Sequence, residues 1–430
     1  MFAFIQVFRR LQQPSLNQFL QQIQPKLQTA QTIAMACCYG WLLLSALLLS
    51  NMAAASPPTE PKVVLVSIDG LRWQEVFYGA DHQIAADSRF VKDRKKIQPL
   101  LDGAKASQLM PFFHQTIAKQ GLLVGDRRRG SLMNVTNQWH ISYPGYNEML
   151  SGMADPKLHS NAKIANPNIT VLEWLNHQTG MQGQVAAFGS WDVLPYILNV
   201  ARSGLPVNAG FAEATGSLSP KLQLLNQLQR QTPSPWPAVR HDVFTQQFAL
   251  DYLQTKKPKL LYVAFGETDD FAHDQRYDQY LAAAQRADSF IAELWQQLQA
   301  DPFYRNQTTL IITTDHGRGD SSANWSFHAG ARSLQQQLTG YLKPLAKLSQ
   351  GITGSDQIWL AALGPQIPAR GLVATDSPWL QSQVASTVAE LLGYDFQSFQ
   401  YKASTALPLQ DQQVRQLAAR QETTGRSFAQ

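Results

Sequence analysis

Five short apolar runs recur along the chain: KVVLVSI (62–68), GLLVGD (121–126), GQVAAFG (183–189), KLLYVAFG (259–266) and TTLIITT (308–314). They are continuous rather than alternating and rich in β-branched residues, which suits strands buried on both faces of a sheet. Between them the period changes. QYLAAAQRADSFIAELWQQLQ (279–299) and SQVASTVAELLG (382–393) space their apolar residues as helices do, and the second closes on Gly393. Alternation of buried strands with helices predicts an α/β fold: a doubly wound, mostly parallel central sheet with helices on both faces. Residues 201–240 are rich in Pro, Ser and Gly and show no clear period, so a loop or small inserted lid is expected there. No internal repeat is found.

A chain of 430 residues accommodates one large α/β domain with insertions, and 44% hydrophobic with 16% charged residues is the composition of an ordinary globular protein. The first 55 residues read differently. Residues 1–31 carry Arg9, Arg10 and Lys26 without any acid, and an apolar run from Ile33 to Leu49 leads to an Ala-x-Ala site near Ala55. That pattern describes a secretory signal; an uncleaved anchor over residues 33–55 is the alternative, since that length approaches the ~20 apolar residues that span a bilayer. Either reading puts residues 56–430, the expected catalytic domain, in the periplasm or outside the cell, tethered to the membrane if the anchor persists. Subtracting the three leader cations from the formal charge of +5 leaves +2, which gives no electrostatic footprint for nucleic acid. DRRRG (126–130) is the only dense basic run and reads as a solvated loop. Both cysteines, Cys37 and Cys38, fall within the leader, so disulfides and thiol catalysis are excluded for the remainder.

Three of the predicted strands end on acids. VSIDG delivers Asp69, followed by Gly70 at the turn; VAFGETDDFAHD delivers Asp269 with His273 four residues on, one helical turn away; IITTDHG delivers Asp315 and His316, and His328 follows twelve positions later. Taken singly, a strand-end Asp is more often a turn former or a cap, and a lone His more often packs or faces solvent. Open α/β sheets, however, gather their ligand sites at the carboxyl ends of strands. Together Asp69, Asp269, His273, Asp315, His316 and His328 make a mixed carboxylate and imidazole set that suits zinc or a similar first-row ion better than calcium, and six ligands can hold two divalent ions.

Two ions about 3.5–4 Å apart clamp an in-line displacement at phosphorus, and the clamp needs a nucleophile. HISYPGYNEMLSG (140–152) offers Ser142 just ahead of a helix-like segment, with Pro144 suited to the first turn. At that position backbone N–H groups and the helix dipole favour an alkoxide and a phosphoryl oxygen. A plain N-cap serine is the alternative, and the metal set tips the balance toward the nucleophile.

The ordered set SIDG, hydroxyl residue before aromatic-Pro, D-x-x-x-H, DHG and a late His, running from Lys62 to His328 with looser similarity toward the C-terminus, resembles the alkaline phosphatase superfamily. It is most similar to the nucleotide pyrophosphatase and phosphodiesterase branch. That resemblance implies an exported hydrolase of small-molecule phosphate esters, with one zinc held by Asp269, His273 and His328 and another by Asp69, Asp315 and His316. It also implies that Ser142 coordinates the second zinc and forms a covalent phosphoserine that water hydrolyses. The family uses an Asn side chain to hold a phosphoryl oxygen; Asn161, Asn166 and Asn168 are available, and Asn161 is chosen. Gly145 and Tyr146 depart from the Pro-Asn-His of phosphodiesterase relatives, so nucleotide recognition is not implied. Tyr146 also stands where sulfatases need Arg, which demotes sulfate esters. A phosphoryl-transferring mutase ranks behind a hydrolase, and a non-catalytic binding protein last, because the ligand set has no gap. Monoester against diester preference and oligomeric state stay open. Asp270 and Glu267 read as supporting or capping groups, and Trp191 and Asp192 as possible pocket walls. The Asn-x-Ser/Thr sequons at Asn134, Asn168, Asn306 and Asn324 carry little weight, since a glycan on Asn324 would obstruct the site.

Overall fold

Eight strands order as β5-β4-β6-β1-β7-β8-β2-β9 in one sheet of the computed structural model, which describes residues 60–102, 106–336 and 350–410. The expected leader, with its possible tether over 33–55, lies outside the described residues; among these, no helix is long and apolar enough to cross a membrane. Strand β1 (Lys62–Ile68) occupies the middle, parallel to β6 (Leu260–Phe265) on one side and to β7 (Thr308–Thr313) on the other. β4 (Val185–Gly189) pairs in parallel with β6 and with the edge strand β5 (Val207–Ala209). On the far side β8 (Leu360–Leu363) runs antiparallel to both β7 and β2 (Leu122–Val124), and β9 (Gly371–Leu372) completes the edge. A second sheet joins β3 (Met133–Asn134) to β10 (Trp379–Leu380).

Every residue of β1 is buried, and alternate side chains enter two different cores. Val64, Val66 and Ile68 share one core with Phe244 and Phe248 of helix Asp242–Lys256 and Leu281 and Ala284 of helix Tyr277–Ala300. Val63 and Leu65 share the other with Tyr146 and Met149 of helix Ser142–Ser151 and Val384 and Val388 of helix Val384–Leu391. In chain order these helices are called α1 (Ser142–Ser151), α3 (Asp242–Lys256), α5 (Tyr277–Ala300) and α6 (Val384–Leu391); α2 (Pro220–Gln231) and α4 (Glu267–His273) complete the set used below. The doubly wound architecture follows from this two-sided burial. Each aliphatic side chain withdrawn from water contributes roughly 1.5–3 kcal/mol, enough in sum to tolerate costly polar groups at the sheet's central edge.

Residues 201–240 depart from the expected loop. They contain β5 and the twelve-residue α2, so the segment forms an edge of the sheet and part of a helical layer. Leu225 packs with Phe244 and Phe248, and Asn226 exchanges hydrogen bonds with the backbone of Ala214. A start signal was present in the sequence: Ser219 caps α2 by accepting from the Leu222 amide, and Pro220 occupies the first turn.

Candidate active site

The adjacent strands β6, β1 and β7 bring their carboxyl ends to one edge. Asp69 follows β1 directly, and its amide donates to Phe265 O at 3.1 Å, across to the end of β6. Gly70 turns the chain at φ 58°; a Cβ there would sit 2.7 Å from Asp269 Oδ1 and 2.9 Å from Arg318 Nη1, so both the conformation and the crowding require glycine. Asp269 lies in the first turn of α4 and His273 at its end, and this i,i+4 pair closes to 3.0 Å between Oδ2 and Nε2. Beyond β7, Gln381 Nε2 donates to Thr314 O at 3.0 Å and to Asp315 O at 2.7 Å and fixes the turn that presents Asp315 and His316.

All seven residues expected at the metal site, Asp69, Ser142, Asp269, His273, Asp315, His316 and His328, come together. His316 Nε2 lies 3.4 Å from Asp69 Oδ1, 3.4 Å from Asp315 Oδ2, 3.7 Å from Asp269 Oδ1 and 3.3 Å from Ser142 Oγ. The His328 ring stacks on His316 at 3.7 Å, and its Nε2 is 3.1 Å from His273 Nε2 and 3.7 Å from Asp269 Oδ1. Two triads with ligand atoms within 4.8 Å of one another result: Asp69, Asp315 and His316, and Asp269, His316 and His328. His316 thus belongs to both groups. Backbone carbonyls orient both central rings: Gly317 O lies 2.9 Å from His316 Nδ1, and His140 O 2.8 Å from His328 Nδ1. A carbonyl only accepts, so Nδ1 carries the proton and Nε2 turns its lone pair into the site.

The donor set fits divalent cations. Asp69 Oδ2 accepts from the Tyr146 hydroxyl at 2.9 Å and Asp315 Oδ1 from the Gly70 amide at 3.1 Å, whereas the second oxygen of each, Asp69 Oδ1 and Asp315 Oδ2, is buried without a hydrogen-bond partner. These two acceptors flank His316 Nε2. Burial first, then the charges of Asp315 and Asp269, push the Asp69 carboxyl well above its ordinary range. Burial raises Asp315 also, with His316 opposing and Asp269 adding to the shift. Burial raises Asp269 as well, but His273, Arg318 and His328 outweigh it and hold that carboxyl well below the usual range. Burial and then the neighbouring His316 depress His328, which favours the neutral imidazole that a metal needs. Buried carboxylates that repel one another are stable as anions only beside positive charge.

Ser142 is the first residue of α1, not the residue ahead of it. Ile141 takes the extended cap position, where its side chain cannot cap, and Asn161 supplies the missing acceptor: its Oδ1 receives the Tyr143 amide at 3.0 Å. Asn166 and Asn168 are committed elsewhere. Both donate Nδ2 to Asn147 Oδ1 at 3.1 Å, and Asn168 also reaches Asp155 Oδ2 at 2.9 Å. Asn161 is therefore the one of the three beside Ser142. Gly145 lets α1 approach this edge of the sheet, since a Cβ there would lie 2.4 Å from Asp315 O.

Three residues at the site escaped the sequence reading. Tyr146 enters the sequence pattern only as a departure from what relatives carry there, not as a partner of Asp69. Arg318, in DHGRG, is 1% exposed, pairs through Nη1 with Asp269 and donates Nη2 to Ser326 O at 2.7 Å, tying the His328 loop to α4. His140 adopts φ 49°, and its Nδ1 lies 3.0 Å from Ser355 Oγ. Proximity to DHG and to Ser142 was the available signal. Glu267 supports α4 by pairing with His241 and Arg286. Trp191 packs against Tyr146 with centroids 6.4 Å apart, and Asp192 pairs with Lys163 at 2.6 Å.

Residues 142–337 match the family model described as type I phosphodiesterase / nucleotide pyrophosphatase. That stretch holds Ser142, Asp269, His273, Asp315, His316 and His328, six of the seven residues gathered at this edge. The match supports an enzyme, a hydrolase of the phosphate-ester or phosphodiester type. Among solved structures the chain is similar to wild-type alkaline phosphatase PafA, with 12% identity, 78% of this chain and 96% of the other covered, and a TM-score of 0.47. A 2-O GAG sulfatase is similar at 13% identity over 81% and 73% of the two chains, with a TM-score of 0.46. Murine ectonucleotide pyrophosphatase / phosphodiesterase 5 in complex with AMP is similar at 15% identity over 81% and 96%, with a TM-score of 0.44. No curated protein matched the chain by sequence.

Proposed function

We propose that the chain is an exported, dizinc-dependent hydrolase of small-molecule phosphoric esters that acts through a phosphoserine on Ser142. The observation that supports this reading best is the pair of partnerless buried oxygens, Asp69 Oδ1 and Asp315 Oδ2, facing His316 Nε2, with Ser142 Oγ 3.3 Å from that nitrogen. Asp69, Asp315 and His316 would hold one ion beside Ser142, and Asp269, His273 and His328 the other. Bound there, such ions would lower the pKa of the Ser142 hydroxyl and of water and offset charge on the leaving oxygen.

The chain's own groups supply the remainder. Ser142 Oγ, having lost its proton to solvent, forms a bond to phosphorus as the bond from phosphorus to the ester oxygen breaks, and the departing oxygen is protonated by water. Water then breaks the phosphoserine bond, which restores the hydroxyl and releases the phosphate. Asn161, whose Oδ1 is anchored on the Tyr143 amide, directs its Nδ2 toward a phosphoryl oxygen. Export rests on the leader sequence alone, and fractionation of the cells that make the protein tests it.

Nitrophenyl phosphate, its bis-ester and the sulfate analogue are the substrates that test the reading. Turnover of either phosphorus ester with little on the sulfate is expected, since Tyr146 replaces the arginine that sulfatases need. Ser142→Ala should lower kcat by at least about 10³-fold while the metal content stays near two equivalents. A variant as fast as the wild type would rule out the serine.

A further inference from the structure

We propose that Tyr146 is a positioning residue that restrains Asp69 to one coordinating oxygen and so sets which cation the nucleophile-side site accepts. This rests on the metal reading above and goes beyond it. The phenol donates to Asp69 Oδ2 at 2.9 Å, and both groups are buried. It leaves Asp69 Oδ1, which has no hydrogen-bond partner, as the oxygen facing His316 Nε2.

The phenol has little freedom to move. Its ring packs on Trp191 and shares a buried cluster with Met149 and Leu150 on its own helix and with Tyr262 of β6. Tyr146 is also four residues from Ser142, so one turn of α1 carries the hydroxyl, the glycine that abuts Asp315 and the phenol that holds Asp69. Asp315 is restrained similarly: its Oδ1 accepts from the Gly70 amide, and only Oδ2 remains. Two carboxylates each limited to one oxygen, an imidazole and a hydroxyl make a four-donor set that suits a small tetrahedral ion. Larger ions draw on bidentate carboxylates to reach six to eight oxygens. Tyr146 thereby favours zinc over manganese or calcium.

Calorimetric titration of the metal-free wild type and Tyr146→Phe with zinc, and separately with manganese, tests this without substrate. In the variant one of two zinc equivalents should weaken by about 10–100-fold, the other should stay as in wild type, and the preference for zinc over manganese should narrow. The melting temperature of the metal-free variant checks that it folds. Two zinc equivalents bound as tightly as by wild type would overturn the assignment while leaving the hydrolase reading intact. A wild type that takes up no divalent ion would overturn both. A crystal structure of the zinc-loaded wild type tests the same point without a variant: Asp69 is expected to coordinate through Oδ1 alone with Oδ2 on Tyr146, and bidentate Asp69 overturns the proposal.

Discussion

Asn161 and Asn166 stand five positions apart in one loop, yet their bonds assign them different work. Asn161 is partly exposed and touches the helix that carries Ser142, whereas Asn166 is fully buried and spans Asn147 Oδ1 and Ile197 O. Asn161→Ala should therefore lower kcat/KM by roughly 10²-fold, the usual cost of one donor to a developing oxyanion, and lose about 1 kcal/mol of stability with the cap on the Tyr143 amide. Asn166→Ala should lose about 1–3 kcal/mol of stability, because it strands buried polar partners. Steady-state kinetics and denaturant unfolding on the two variants separate these outcomes, and equal kinetic losses would contradict the division. The convergence of the proposed ligand residues was legible at this scale because strand-end acids and imidazoles follow a local rule of open sheets. Tyr146 and Arg318 were not, since nothing in their neighbours reveals that a phenol finds Asp69 or that a guanidinium spans Asp269 and Ser326.

Two elements show opposing effects whose sizes decide the outcome. In a helix, Gly→Ala ordinarily gains about 0.5–1 kcal/mol. At Gly145 of α1 the new methyl would fall 2.4 Å from Asp315 O, and overpacking of that kind costs typically 1–3 kcal/mol. Gly145→Ala should thus lower both the melting temperature and zinc retention, and a stabilised variant would mean that α1 does not press on Asp315. On α5, Asp288 accepts the Phe112 and Phe113 amides at 2.8 and 2.9 Å, and burial pushes its carboxyl up to about 6 from an ordinary 3.8. A carboxyl raised on folding contributes stability that is complete below its unfolded pKa and is lost as pH rises through the folded one. Asp288→Asn removes that dependence. The cost of the substitution should consequently be greater at pH 4 than at pH 7.5, by on the order of 3 kcal/mol, as measured by urea unfolding of both proteins; a cost independent of pH would refute the shift. The element map was legible where runs were apolar on both faces, down to the three residues of β2. β5, β8 and α2 were missed: β5 has three residues at an edge, β8 four, and α2 is flanked by the Pro and Ser that mark loops.

Across the whole molecule, the sheet gathers Asp69, Asp269 and Asp315 at one buried edge, and only Asp269 has a fixed protein cation, Arg318, against it. Folding must therefore bury two further carboxylates with incomplete compensation, and an unfolded chain escapes that cost by returning them to water. Divalent ions that bind the folded chain alone reverse the balance, by about 2.7 kcal/mol for each site at a hundredfold excess over its Kd. Chelation should accordingly lower the melting temperature, by on the order of 5 °C or more for a domain of this size, and zinc should restore it. The size of this shift separates the roles of the site residues without any measurement of rate. Ser142→Ala removes a hydroxyl but no charge, so most of the shift should survive in it. Asp315→Ala removes one of the oxygens without a hydrogen-bond partner, and with it one site's binding energy, so the shift should shrink markedly. A wild type whose melting is indifferent to chelator and to added zinc would mean that the carboxylates of this edge are stabilised by protonation, and the hydrolytic reading of the site would fall with that result.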